Sequence, residues 1–246
     1  MTELRFIVQT LLRLLSGVPL TLELAALAVI GGTALGFLIA SMRLSSYSPL
    51  RAAAWLYVQV VRSTPLLVLM FLIYFGLSQF VSIRASFLWW VLREPYWCAV
   101  LALVINSSAF AAEIIRGGLL SVGRDEIEAA RACGMSGVLL LRRIVIPLAI
   151  RQALPAYGNE MVAMVKATSL ASLVTLMDVT GIASSIVATT YRPIPVFVAA
   201  GAIYLTINVV LGHAVKALEY RLTPHLRRPH VNAVVGSTVD AGASLT

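Results

Sequence analysis

From Val18 to Met42 the chain runs VPLTLELAALAVIGGTALGFLIASM, with Glu23 as its one charged residue. Arg43 and the turn-rich SSYSP then stop it. A helix crossing the roughly 30 Å hydrocarbon layer of a bilayer needs about 20 predominantly apolar residues. This run meets that requirement. It is too long for the apolar core of a signal peptide and no clear cleavage site follows it, so it reads as a retained first span. Composition agrees: 59% of the 246 residues are hydrophobic and 12% are charged, against about 25% charged in a soluble domain. The chain is an integral membrane protein of all-α class.

Five transmembrane helices are expected, at about 18–42, 64–80, 95–115, 147–174 and 195–215. AAAWLYVQVVR (52–62) reads as a helix lying along the interface, and Pro65 suits the first turn of the second span. Pro95-Tyr96-Trp97 and the Trp89-Trp90 pair read as interfacial anchors. Beyond Leu222 the chain is poor in apolar runs, so 222–246 is expected to be a disordered tail. No internal repeat is visible. Cys98 and Cys133 form no CxxC and are expected to be small core residues.

The net charge of +8 does not mark a nucleic-acid binder here, because its distribution follows the membrane. Loop 41–54, loop 116–143 and the tail hold eleven Lys and Arg residues, whereas 1–17, loop 80–94 and loop 175–194 hold five. The richer side is cytoplasmic by the positive-inside rule. The N-terminal segment 1–17 is then extracytoplasmic, and the C-terminus and the stretch EIEAARACGMSGVLLLRRIVIPLAIRQALP (126–155) are cytoplasmic.

That stretch interrupts the apolar pattern. Asp125 suits a helix N-cap, Glu128 a capping-box position, and Glu126 and Glu128 complement the helix dipole. Ala129, Ala130 and Ala132 favour helix without bulk. Gly134 falls where a helix would end in a left-handed residue. A short helix with a small-residue face is expected, within about 125–141, with Leu139, Leu140 and Leu141 adding apolar surface.

Glu128-Ala129-Ala130, Gly134, Ile144 and Ile146-Pro147 match the EAA signature of bacterial ABC importer permeases, with Ile146 replacing its Leu. VRSTPLLVLMFLIYFGL (61–77), NSSAFAAEIIRGG (106–118), ALPAYGNEMVAMVKATSL (153–170) and Tyr191-Arg192-Pro193 add to the likeness. Over about 18–221 the chain resembles the polar amino-acid group of these permeases, which includes the histidine and glutamine permeases and those for basic amino acids and opines. The resemblance implies a type I importer permease fold in the bacterial inner membrane. It makes the EAA helix a coupling helix that docks on a cytoplasmic ATPase subunit, through Glu128, Ala129, Ala130 and Gly134. It also implies two ATPase copies, a second permease subunit (identical or related) and a periplasmic solute-binding protein. The chain holds no G-x-x-x-x-G-K-[ST] phosphate loop. It is therefore expected to be no enzyme and to carry no cofactor, with ATP bound by the partner.

Ionisable groups within spans are costly and mark function or pairing. Asn106 and Glu113, seven apart, share a helix face, and with Glu160 they are candidates for a substrate pathway. Interhelical hydrogen bonding accounts for the same residues without a ligand. Glu23 reads as a snorkelling carboxylate, Asp178 as part of an outer gate or binding-protein contact, and His213 as a satisfied helix-end histidine. Two other classes share these features. One is an ion-coupled secondary transporter using Glu113, Glu160 and Lys166, although such folds usually show two related halves. The other is a scaffold that recruits a cytoplasmic protein.

Overall fold

The computed structural model describes residues 3–87 and 89–222, and its ordered elements are helical. Prolines open many of the helices, where a missing N–H costs nothing. α1 (Glu3–Leu15) turns through Ser16 and Gly17 into α2 (Val18–Arg43). α3 (Ser48–Ser63) is followed by α4 (Leu66–Phe71), which continues as a π turn and a 3₁₀ turn to Gln79. α5 (Val81–Arg84) and α6 (Trp89–Leu92) are single turns. α7 (Pro95–Leu120) leads into α8 (Arg124–Ala132) and α9 (Gly137–Leu140). A π turn over Leu141–Val145 opens α10 (Ile146–Ala167), which tightens into 3₁₀ helix over Thr168–Val174. α11 (Val179–Thr190) and α12 (Pro193–Leu222) complete the fold.

Three stretches are long and apolar enough to cross a bilayer alone: Arg5–Arg43, Pro95–Leu120 and Pro193–Leu222. Two bent pairs raise the number to five. The second expected span is revised: it is not a straight helix from 64 but a pair over Ser48–Ser63 and Leu66–Gln79, bent by 103°. α3, expected along the interface, instead buries Ala54, Val58 and Val61 within the bundle. The bend has a local cause. Thr64 precedes Pro65, and a residue before proline is forced from the helical region; Thr64 sits at φ −91°, ψ 125°. The fourth span pairs Gly137–Val174 with α11 at 46°. α11 falls in what reads from sequence as loop 175–194. α12 extends from Pro193 to Leu222, beyond the expected 195–215 at both ends, and most of the expected tail lies outside the described residues.

The bundle is organised on α2 and α7. Gly32 and Gly36 form a G-x-x-x-G stripe on α2, a spacing that lets helices approach closely in membranes. A Cβ added at Gly32 would lie 2.6 Å from Ser107 Cβ, and one at Gly36 2.8 Å from Ala111 Cβ and 3.0 Å from the Ser108 carbonyl oxygen. One core joins Leu24 and Ala28 of α2 to Cys98, Ala99, Ala102 and Leu103 of α7, with Met70, Met164, Ala171 and Val174. A second core packs Leu14 of α1 against Val179, Ala183 and Ile186 of α11 and Val196, Ala199, Ala200 and Ile203 of α12. Cys98 is fully buried, as expected of a small core residue. Cys133 is exposed, because it ends α8 at the surface.

Asp178 is a structural cap, not part of a surface contact. It is fully buried. Its Oδ1 accepts from the Gly181 N–H at 2.8 Å and its Oδ2 from the Tyr204 hydroxyl at 2.9 Å. The Val179 N–H donates to Thr21 Oγ1 at 3.3 Å, so the starts of α2 and α11 are tied together. Glu23 accepts from the Tyr96 hydroxyl, and His213 Nδ1 meets the Val209 carbonyl at 2.8 Å.

Gly36→Ala is expected to push α2 from α7 and lower stability by about 1–3 kcal/mol. Gly201 in α12 has no atom within 4 Å of an added Cβ, so Gly201→Ala should be neutral or slightly stabilising. Thermal unfolding of both variants in detergent makes the comparison, and equal midpoints would contradict the close-packing account.

Candidate functional site: an exposed helical elbow and a buried polar cluster

The elbow between α7 and α10 departs from expectation in detail. α8 starts at Arg124 with Gly123 as its N-cap residue, and no side chain caps it. Asp125 therefore lies in the first turn with Glu126, where both complement the dipole, and no capping box forms around Glu128. The helix expected over 125–141 is two helices separated by a turn, because Gly134 takes φ +78°. The Gly134 N–H bonds the Arg131 carbonyl at 2.9 Å and the Met135 N–H bonds the Ala130 carbonyl at 3.1 Å. This is the paired hydrogen-bond pattern of a Schellman stop. Gly137 also has positive φ, at +50°, so the chain turns twice before α9.

Glu128, Ala129 and Gly134 are exposed, as are Cys133, Val138 and Leu139. Ala130 points inward and is buried, so its contribution is to seat α8. Leu140 is likewise buried, while Leu139 and Leu141 present apolar surface. The elbow is anchored beneath by close helix contact: a Cβ at Gly118 of α7 would lie 2.8 Å from the Ala149 carbonyl oxygen and 2.9 Å from Ala153 Cβ of α10.

The polar cluster lies on the α7 face buried by α2, α3 and α10. Asn106, Ser107, Ser108 and Glu160 are buried. Tyr57 of α3 and Ser108 share a hydrogen bond of 2.8 Å, and Thr33 of α2 is bonded to Tyr157 of α10. Ser107 neighbours Glu160, and Arg62 is the opposing charge acting on that carboxylate. Asn106 Oδ1 and Glu160 Oε1 have no hydrogen-bond partner among the described residues. Buried polar atoms are nearly always paired; these two, with Asn208 Oδ1 on α12, are the exceptions among the described residues.

Glu113, two turns along α7 from Asn106, has a different environment. Its Oε1 accepts from Arg43 Nε at 3.1 Å and its Oε2 from Arg116 Nη2 at 2.8 Å. The carboxylate thus joins the end of α2 to α7. It also borders a cavity of about 390 Å³ with Arg62, Phe110, Gln152 and Ala156. Lys166 is exposed and pairs with neither Glu113 nor Glu160. Sequence reasoning passed over Arg62 and Gln152. The packing of α3 on α7, which brings Arg62 over the Phe110 ring, was not readable from the sequence.

A helical membrane bundle, with a polar interior and an exposed helical elbow between two of its spans, is the architecture of a transport permease subunit. The chain belongs to the family of binding-protein-dependent transport system inner membrane components, whose model matches residues 32–224. It is 53% identical to the octopine transport system permease protein of Rhizobium meliloti, over 91% of each chain. It is 38% identical to the histidine/lysine/arginine/ornithine transport system permease protein of Escherichia coli, over 86% of this chain and 90% of that one. Among solved structures it resembles an amino acid ABC transporter with histidines, with a TM-score of 0.80 and 36% identity over 90% of this chain and 99% of that chain.

Glu113→Gln leaves Arg43 and Arg116 without their anion and is expected to cost about 1–3 kcal/mol of stability. Glu113→Asp, which keeps the charge, should lose less. Thermal unfolding in detergent separates the two, and a Glu113→Gln protein as stable as the parent would show that the triad is not structural.

Proposed function

We propose that this chain is the transmembrane permease subunit of an ATP-driven, binding-protein-dependent importer of opines and basic amino acids. The substrate class rests on the two transport relatives described above. The observation that carries the coupling role is the exposed, glycine-stopped elbow on the α7–α10 pair. In this reading Glu128, Ala129 and Gly134 dock on a cytoplasmic ATPase subunit, with Ala130 seating the helix from beneath. Two ATPase copies bind and hydrolyse ATP. A second permease subunit, identical or related, completes the pathway, and a periplasmic binding protein delivers the substrate. The N-terminus lies outside and the elbow and C-terminus lie in the cytoplasm, as the distribution of Lys and Arg favours. Asn106 and Glu160 line the pathway and supply polar groups for a cationic substrate, and Glu113 borders it beneath.

An ion relay through Glu113, Glu160 and Lys166 has little to support it, since Glu113 is held by two arginines and Lys166 faces away from both acids. Gentle purification of the tagged protein from its native membrane is the direct test. An ATPase subunit should come with it, and uptake in reconstituted vesicles should require ATP. Recovery of the chain alone, with ATP-independent uptake, would overturn the reading.

Gly134→Val should weaken ATPase association about tenfold or more, because a β-branched residue resists φ +78°. Gly134→Ala should weaken it less. Nothing among the described residues of this chain lies within 4 Å of a Cβ at this position, so any loss reports the left-handed backbone or the docking contact and not a clash within the permease. Co-purified ATPase per permease is the measurement, and a full complement with Gly134→Val would remove Gly134 from the docking role.

A further inference from the structure

Arg62 closes the last turn of α3, within the first arm of a bent span. Its guanidinium lies over the Phe110 ring, 5.1 Å from the centroid. It forms no salt bridge among the described residues, and Glu160 is the carboxylate on which its charge acts. Arg62 and Phe110 both line the 390 Å³ cavity, together with Gln152, and Glu113 is the one carboxylate in its wall. That acid is already engaged by Arg43 and Arg116. Glu113 is thus offset by two arginines that do not themselves line the cavity, and Arg62 is the guanidinium in its wall.

Arg62 is exposed in this chain, so its guanidinium is accessible to a ligand. The planar fork of arginine matches a carboxylate with two parallel hydrogen bonds. A cation–π contact with the Phe110 ring steadies the guanidinium at the cavity wall. Gln152 adds an amide that can donate or accept. Gly117 contributes no side chain and has open space where a Cβ would stand, so the cavity has room for a ligand. Glu160 and Asn106 offer acceptors suited to a cation, whereas this cavity offers donors suited to an anion.

We propose that Arg62 is the carboxylate-binding residue of the translocation site, receiving the α-carboxylate of an amino-acid-type substrate in the cavity beside Phe110 and Gln152. The proposal rests on the reading of this chain as an amino-acid and opine permease. It adds a recognition group for the anionic end of the substrate, complementary to Glu160 and Asn106.

The test uses the complete permease–ATPase complex in lipid nanodiscs, without binding protein, and equilibrium binding of labelled arginine, octopine and agmatine. Agmatine is arginine without its carboxylate. The parent complex should bind arginine and octopine at least tenfold more tightly than agmatine. Arg62→Gln should weaken arginine and octopine binding by about ten- to a hundredfold and leave agmatine unchanged. Arg62→Lys should recover part of the loss, since it keeps the charge without the fork. Glu160→Gln should weaken all three. If Arg62→Gln changes none of them while Glu160→Gln weakens all, the substrate site stands and the role of Arg62 falls. Equal weakening of arginine and agmatine by Arg62→Gln also overturns the proposal. Separation of the two permease subunits in Arg62→Gln would overturn it as well, by showing that a carboxylate of the partner subunit is the natural counter-ion. If the parent complex binds neither arginine nor octopine, the intramembrane substrate site itself is wrong, and the proposal fails with it.

Discussion

The close approach of α2 and α7 through Gly32 and Gly36 is the constraint from which the rest of the bundle follows. In lipid, apolar side chains gain little by meeting one another, so helices associate through packing and interhelical hydrogen bonds. The missing side chains at Gly32 and Gly36 bring the α2 backbone against Ser107, Ala111 and Ala112. At that separation Arg43, at the end of α2, can reach Glu113 on α7. Thr33 and Tyr157 meet across α2 and α10, and Tyr57 meets Ser108 across α3 and α7. The polar cluster is therefore a product of backbone proximity.

Much of this was legible in the sequence because hydropathy acts over whole spans. The apolar stretches of α2, α7 and α12 were located by length alone, and the left-handed stop at Gly134 followed from its place after an Ala-rich helix. What could not be read was how spans bend and which side chains they bring together. The 103° turn at Thr64-Pro65 is a local effect of proline on its predecessor, but the burial of Val58 and Val61 against the bundle could not be read from it. α11 was hidden because Asp178 looks like a surface acid in sequence. Only the arrival of Gly181 and Tyr204 makes it a buried cap. The G-x-x-x-G stripe at Gly32 and Gly36 went unread in the sequence, because its meaning depends on a partner helix that only the structure supplies.

The candidate site divides along the same line. The exposed elbow is made by one continuous segment, so its residues could be named from the signature they match, while the N-cap at Gly123, the split into α8 and α9 and the inward turn of Ala130 and Leu140 needed the structure. The polar cluster draws on α2, α3, α7 and α10. Asn106 and Glu160 could be suspected as polar residues in apolar spans. Arg62 could not, because in sequence it is only the basic end of a helix, and the contact of α3 with α7 that sets its guanidinium over Phe110 is not readable there.

The elbow and the cavity share a mechanical base. α7 carries Glu113 and Phe110 on the cavity wall and runs on to Leu120, just before α8. α10 carries Gln152 on the same wall and begins just after the Arg142-Arg143 turn that follows α9. Gly118 presses on Ala149 and Ala153, so the two helices meet between elbow and cavity without a flexible side chain between them. A densely packed contact of backbone on backbone transmits displacement because it has little room to deform. A push on Glu128 and Gly134 would thus move both cavity walls as one body, while Arg62, carried by α3, belongs to a separate helix. If Arg62 holds a carboxylate as proposed, its motion relative to Gln152 and Glu113 is the geometric route by which an event at the elbow would change that hold.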